Sequence, residues 1–306
     1  MAYAVTLFSV AWVVWLLAEI WPELAAHRDE IKWLLLLSGL ALSLGASFLA
    51  FEAFVAFVRI VGIFGLNRRE LAHLHFTGQL LKHLPGRVWG FGYQWVAGSS
   101  AGSIGEWLGA NFGHMALASF FALWSACLAL GLARGAIAAL FVLCLGSLAY
   151  VLGWSMISSA LAMRTLERLP GKFGKLGHRI RYLVDRTSAS SRVWLFLLFS
   201  LSSVLYYSSW VLYGASYPPL GMSGGMYLCA YYLLAWFVGY VSLVTPSGIG
   251  VRELVFVWLA NDFPGDAVAV AAIVGRVSLL VVDVLLGLAF APFVPRKARA
   301  PSNVPL

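Results

Sequence analysis

The sequence predicts an all-α, polytopic integral membrane helix bundle, and three observations carry that prediction. Only 11% of its 306 residues are Asp, Glu, Lys or Arg, while 61% are hydrophobic; an average soluble domain is about 25% charged. Mean hydropathy is +0.85. Several uncharged runs reach or exceed the roughly 20 residues that a membrane-crossing helix needs. So few charges cannot cover a water-facing surface, which excludes nucleic-acid binders, cytosolic enzymes and secreted disulfide scaffolds. The three cysteines, Cys127, Cys144 and Cys229, lie in apolar stretches without metal-ligand spacing and read as packing residues.

Gaps between charges place the spans. Tyr3 to Ala18 is uncharged and reads as a retained first helix, since no Lys or Arg precedes it and no small-residue cleavage site follows. Leu34 to Arg59 is interrupted only by Glu52, and Trp107 to Ala133 and Gly135 to Met163 carry no charge. Val193 to Val251 runs 59 residues without Asp, Glu, Lys, Arg or His, enough for two passes turning at Tyr217-Pro218-Pro219 and Gly221 to Gly225. Ala267 to Val294 is the last span. The expected organisation is one transmembrane domain over 1–306, with a basic cytoplasmic loop at 164–192 and a short cytoplasmic tail at 295–306.

Charge asymmetry orients the chain. The 164–192 loop has a net charge of +6, the tail adds +3, and Arg68 to Arg87 holds four more bases, so that 15 of the 21 bases fall on one side. By the positive-inside rule that side is cytoplasmic. The acidic Glu19 to Lys32 segment, Asp262 and Asp266 fall opposite. An even number of crossings, with both termini in the cytoplasm of a cell (inner) membrane, satisfies this distribution; Arg134 is a minor exception. Trp21, Trp33, Tyr213 and Tyr217, near span ends, read as interfacial anchors.

Two segments break the apolar pattern. Lys82-His83-Leu84-Pro85-Gly86-Arg87-Val88-Trp89 follows a helix over Arg69 to Leu84, with Leu71, Leu74, Leu80, Leu81 and Leu84 on one face and His73, His75, Lys82 and His83 on the other. Such a helix lies in the interface or dips into the membrane from inside. Thr245-Pro246-Ser247-Gly248-Ile249-Gly250-Val251-Arg252-Glu253 opens a short apolar helix, Leu254 to Ala260, and Gly221 to Asn261 reads as a hairpin entering from outside. Two such re-entrant elements in corresponding places of two halves point to a transporter site and raise an inverted repeat. Two kinked helices with no transport role are the bland alternative.

Glu52, Arg59, Arg87, Arg252, Glu253, Arg276 and Asp283 fall within or beside apolar segments, where a charge costs about 2.5–3.5 kcal/mol and marks a functional candidate. Glu52 with Arg59, and Arg276 with Asp283, are seven residues apart, so each needs a partner from another helix. Neutralisation between helices explains Glu52, Arg59 and Asp283 as well as function does. Arg87 and Arg252 sit beside glycines where freed backbone N–H groups could join them in holding a phosphate. Gly98, Gly102, Gly105, Gly109 and Gly113 form a stripe suited to close helix packing. Gly98-Ser99-Ser100-Ala101-Gly102 fits the G-x-S-x-G elbow, but no strand precedes it and no histidine follows His178, so a serine hydrolase is rejected. His114 reads as a packing residue.

The two broken segments resemble the hallmark motifs of the lysylphosphatidylglycerol synthase transmembrane-region (flippase domain) family. The similarity extends over the hydropathy pattern from roughly Ile31 to Val294. Ser247 stands where members usually have glycine, and Arg276 matches an arginine common in the last span. The resemblance implies a stand-alone lipid-handling domain without the soluble synthase domain, and so without aminoacyl transfer.

The resulting expectation is a lipid flippase or translocase for an anionic phospholipid or polyprenyl-linked lipid. Arg87, Arg252 and Arg276 would meet the headgroup phosphate, with Pro85, Gly86, Pro246, Ser247, Gly248 and Gly250 shaping the site. Glu253, Asp283, Glu52 and Arg59 are coupling or ion-pair candidates, and Glu253 or Asp283 could carry a proton. No catalytic residue, metal or cofactor is expected. The expected partners are membrane lipids, a lipid-modifying enzyme or glycosyltransferase, and further copies of the chain; nucleic acid is not. The alternative is a membrane enzyme or enzyme subunit acting on a polyprenyl-phosphate lipid, although the paired Asp motif of a metal-dependent sugar transferase is missing.

Overall fold

Capping chemistry sets the helix boundaries in a computed structural model that describes residues 29–83, 89–158, 187–217, 220–241 and 251–295. Helix α1 (Trp33–Val61) is 29 residues long, about 43 Å at roughly 1.5 Å per residue. It closes on Gly62, whose φ of 96° is left-handed. The Gly62 and Ile63 N–H groups donate back to Arg59 and Val58 carbonyls at 3.1 and 3.0 Å, a Schellman motif. Helix α2 (Arg68–Leu81) starts with a capping box: Asn67 Oδ1 accepts from the Arg69 and Glu70 N–H groups, and the Asn67 N–H donates to Glu70 Oε2. After α3 (Trp89–Ala97), a second box formed by Ser103 and Glu106 opens the 31-residue α4 (Ile104–Arg134).

Helices α5 (Ala136–Ser158), α6 (Ala189–Ser216), α7 (Gly221–Val241), α8 (Val251–Leu259) and α9 (Gly265–Phe290) complete the described residues, which contain no strand. Among the described residues, five helices are long and apolar enough to cross a membrane: α1, α4, α5, α6 and α9. Their outward faces carry Ile137, Leu140, Phe141, Val151, Val193 and Leu201, all exposed. An apolar exterior on this scale belongs in lipid. The chain is therefore a multi-pass membrane protein of the all-α class.

The bundle centres on α1 against α6, with α7 packed on α6 and α4, and α5 packed on α4. Two apolar clusters stack along it. One joins Phe51 to Val61 of α1, Leu71 to Phe76 of α2, Trp107 and Phe121 of α4, Leu195 to Phe199 of α6, and Val282 and Leu286 of α9. The other joins Trp210 and Tyr213 of α6, Leu228 to Ala235 of α7, Phe256 of α8 and Ala267 to Val274 of α9. Helices α6 and α7 meet backbone to backbone: a Cβ added at Gly225 would lie 2.8 Å from the Trp210 carbonyl oxygen and 2.9 Å from Gly214 Cα.

Several sequence expectations change. Helix α2 has no water-facing polar side, because His73, His75 and Thr77 are as buried as Leu71, Leu74 and Leu80. At 14 residues, about 21 Å, it is too short to cross the hydrocarbon core of roughly 30 Å. The glycine stripe does not lie on one helix, since residues 98–103 form the turn between α3 and α4. Close packing still explains three of its members: added Cβ atoms would strike Trp107 at Gly98, Ile63 at Gly102 and Phe57 at Gly113, whereas one at Gly109 would meet Val61 only at 3.9 Å. Gly221 to Gly225 begin α7 rather than forming a turn. Tyr213 and Tyr217 are buried core residues, with Tyr213 and Ser43 hydroxyls 2.9 Å apart, whereas Trp33 is exposed as an anchor would be. The first uncharged segment, Trp21 and most of the basic loop lie outside the described residues.

Candidate functional site

Asp283 is the charged side chain that the described bundle buries most deeply, in the last span and 6% exposed. Its Oδ2 accepts from Lys82 Nζ at 2.9 Å and from His83 Nε2 at 2.7 Å. A buried, unpaired carboxylate would cost several kcal/mol, so these two donors are what make the position tenable. They come from the end of α2, where the helix C-terminus also favours positive charge. Lys82 Nζ donates in addition to Gln79 Oε1 at 2.9 Å.

Small residues bring α2 and α9 together. A Cβ at Gly287, one turn beyond Asp283, would overlap the Leu80 side chain. On its other side α2 approaches α3 so closely that a Cβ at Gly90 would lie 2.6 Å from the Gly78 carbonyl oxygen. Arg252, in α8, has its guanidinium carbon 5.3 Å from the Tyr232 ring centroid, a cation–π distance. Its charge bears on His83. Burial holds His83 below its ordinary 6.5, Lys82 and Arg252 push the same way, and Asp283 opposes them.

A polar interior flanks this cluster. His73 Nδ1 donates to the Phe290 carbonyl at 2.9 Å, so its Nε2 accepts from the Tyr93 hydroxyl at 2.6 Å as a neutral imidazole. Burial lowers the His73 pKa and pushes Tyr93 up to about 12. His75 is fully buried against Phe51, Phe54, Phe76 and His114, with Nδ1 lacking a hydrogen-bond partner, and its pKa falls well below 6.5 by desolvation. Asn111 Nδ2 donates to Gln94 Oε1 at 2.7 Å. His114 Nε2 donates to the Ala50 carbonyl at 3.0 Å among Phe54, Phe57 and Phe199.

The expected site residues divide sharply by position. Pro85, Gly86, Arg87, Pro246, Ser247, Gly248 and Gly250 lie outside the described residues, as does the side chain of Glu253. Their described chain neighbours are Lys82 and His83, which hold Asp283, and Arg252, whose charge reaches His83. Arg276 is half-buried, two turns before Asp283 on α9 and about 10 Å along its axis. Glu52 pairs with Arg68 at the start of α2, a partly exposed contact, worth about 0–1 kcal/mol. Arg59 is exposed in the last turn of α1.

The sequence places Lys82 and His83 on a polar helix face but not in a site, and it does not single out Gln94 and Asn111. The available signal was their polarity beside glycines in apolar surroundings. A crevice lined by Trp210, Tyr213, Leu228, Val270 and Val274 contains no charged side chain and lies in the other apolar cluster. Among the described residues no group of His, Cys, Asp and Glu could hold a metal ion, and the cysteines are unpaired. Compared with known protein families, curated proteins and solved structures, the chain matches none.

Proposed function

We propose that this protein is a lipid flippase or translocase whose cargo is an anionic phospholipid or polyprenyl-linked lipid. The observation that carries the reading is the pairing of Lys82 and His83 with the buried Asp283 carboxylate at the end of α2, with the charge of Arg252 reaching His83. Basic side chains gathered at a helix break inside an apolar bundle suit a phosphate headgroup whose acyl chains stay in lipid. Arg87, Arg252 and Arg276 are the phosphate ligands in this reading. The similarity of the two motifs to the lysylphosphatidylglycerol synthase transmembrane region supports the same class.

In the same proposal the broken segments are re-entrant and enter from opposite faces. Both termini face the cytoplasm of the inner membrane, and a lipid-modifying enzyme or glycosyltransferase supplies or receives the cargo. Reconstitution into liposomes with fluorescent phosphatidylglycerol tests the function, with phosphatidylcholine as control. Wild type is expected to move the anionic lipid between leaflets, and Arg252→Ala to abolish the movement. Equal transport by both forms would overturn the role of Arg252, and no transport by wild type would overturn the function.

A further inference from the structure

We propose that Asp283 is a resident stand-in for the cargo phosphate: Lys82 rests on Asp283 when the site is empty and moves to the phosphate when it is loaded, while His83 keeps Asp283 in place. This deepens the reading above and rests on it.

The geometry supports exchange rather than a fixed structural pair. Both donors converge on the same oxygen, Oδ2, at 2.9 and 2.7 Å. The three partners are unequally held: Asp283 and His83 side chains are 6% and 15% exposed, but Lys82 is 38% exposed. A flexible ammonium on a four-carbon stem can reach another anion from that open side. A ring fixed in the interior cannot follow it. Because His83 stays, Asp283 is never left without a donor when Lys82 departs, which avoids the large cost of a bare buried carboxylate.

Arg252 lies close enough for its charge to reach His83, so an arriving phosphate would meet two bases of one cluster. The arrangement answers a problem that any anion carrier in lipid must solve. Basic ligands strong enough to hold a phosphate would be stranded without a counter-charge once it leaves, and Asp283 supplies that charge to Lys82.

The test measures binding of dioctanoyl-phosphatidylglycerol and of inorganic phosphate to the detergent-purified full chain by titration calorimetry. Asp283→Asn removes the competitor and is expected to tighten phosphate binding by about tenfold or more. Lys82→Gln is expected to weaken it by about tenfold. The double variant should bind like Lys82→Gln alone, because Asp283 acts through Lys82. A merely structural pair would not show that dependence. Tightening seen only with the lipid places the phosphate on a headgroup; tightening shared by inorganic phosphate places it on a free anion, and either result supports the exchange.

Wild-type binding that Asp283→Asn leaves unchanged overturns this inference alone. Absence of binding by wild type overturns it together with the proposed function. Should Asp283→Asn not fold, Lys82→Gln decides, and an unchanged affinity overturns the exchange.

Discussion

Replacing Gly287 by alanine tests whether close approach of α9 to α2 is what seats Asp283 on Lys82 and His83. The added Cβ would overlap the end of Leu80 and lie 2.8 Å from its Cγ, and Leu80 is fully buried. The side chain therefore has no free volume to retreat into, and overpacking of this kind costs about 1–3 kcal/mol. Alanine recovers up to about 1 kcal/mol through its better helix propensity. The expected net change is a loss of roughly 0–3 kcal/mol.

Leu80→Ala alone should cost about 2–5 kcal/mol by leaving a cavity. In the double variant the new methyl fills part of that cavity, so it should be more stable than the sum of the single changes by about 1–3 kcal/mol. Unfolding of the purified protein in detergent, followed through its 13 tryptophans, measures all three. Additivity within about 0.5 kcal/mol would refute the steric argument.

Two further predictions concern the polar interior. Asn111→Leu removes the donor 2.7 Å from the buried Gln94 Oε1 and should lower stability by about 1–3 kcal/mol; adding Gln94→Leu should restore much of it, and no recovery would show that the pair is not the cause. His73, His75 and His83 all have folded-state pKa values below 6.5, so above that pH they are neutral whether folded or unfolded. As pH falls through 6.5 the unfolded chain gains protons that the folded chain refuses, and stability should drop. His75→Phe should make the loss shallower by up to about 1.4 kcal/mol per pH unit, and identical slopes between pH 5 and 6.5 would exclude His75 as a contributor.

The spans were legible because charges are expensive in lipid, so gaps between them trace α1, α4, α5, α6 and α9 to within a few residues. The short elements were less so. Periodicity separated the histidines of α2 from its leucines, but only packing by α1, α3 and α9 decides that both sides are buried. The turn that divides the glycine run carried a readable sign, since Ser103 and Glu106 have the spacing of a capping box. Asn67 and Glu70 repeat it at α2. The meeting of His83 with Asp283 joins residues 200 positions apart. It follows from the fit of Leu80 against Gly287, which no local pattern records. Arg276 and Asp283 share a helix face, yet it is α2 that supplies the partners of Asp283.

The contact between Gly214 and Gly225 bears on how the bundle breathes. Where two helix backbones touch with no side chain between them, neither can slide past the other by a fraction of a turn without steric overlap. The α6–α7 pair then behaves as one stiff body, and its amide hydrogens near the crossing should exchange with deuterium among the slowest in the chain. The Gly78–Gly90 contact ties α2 to α3 in the same way, so those two short helices should move as a unit.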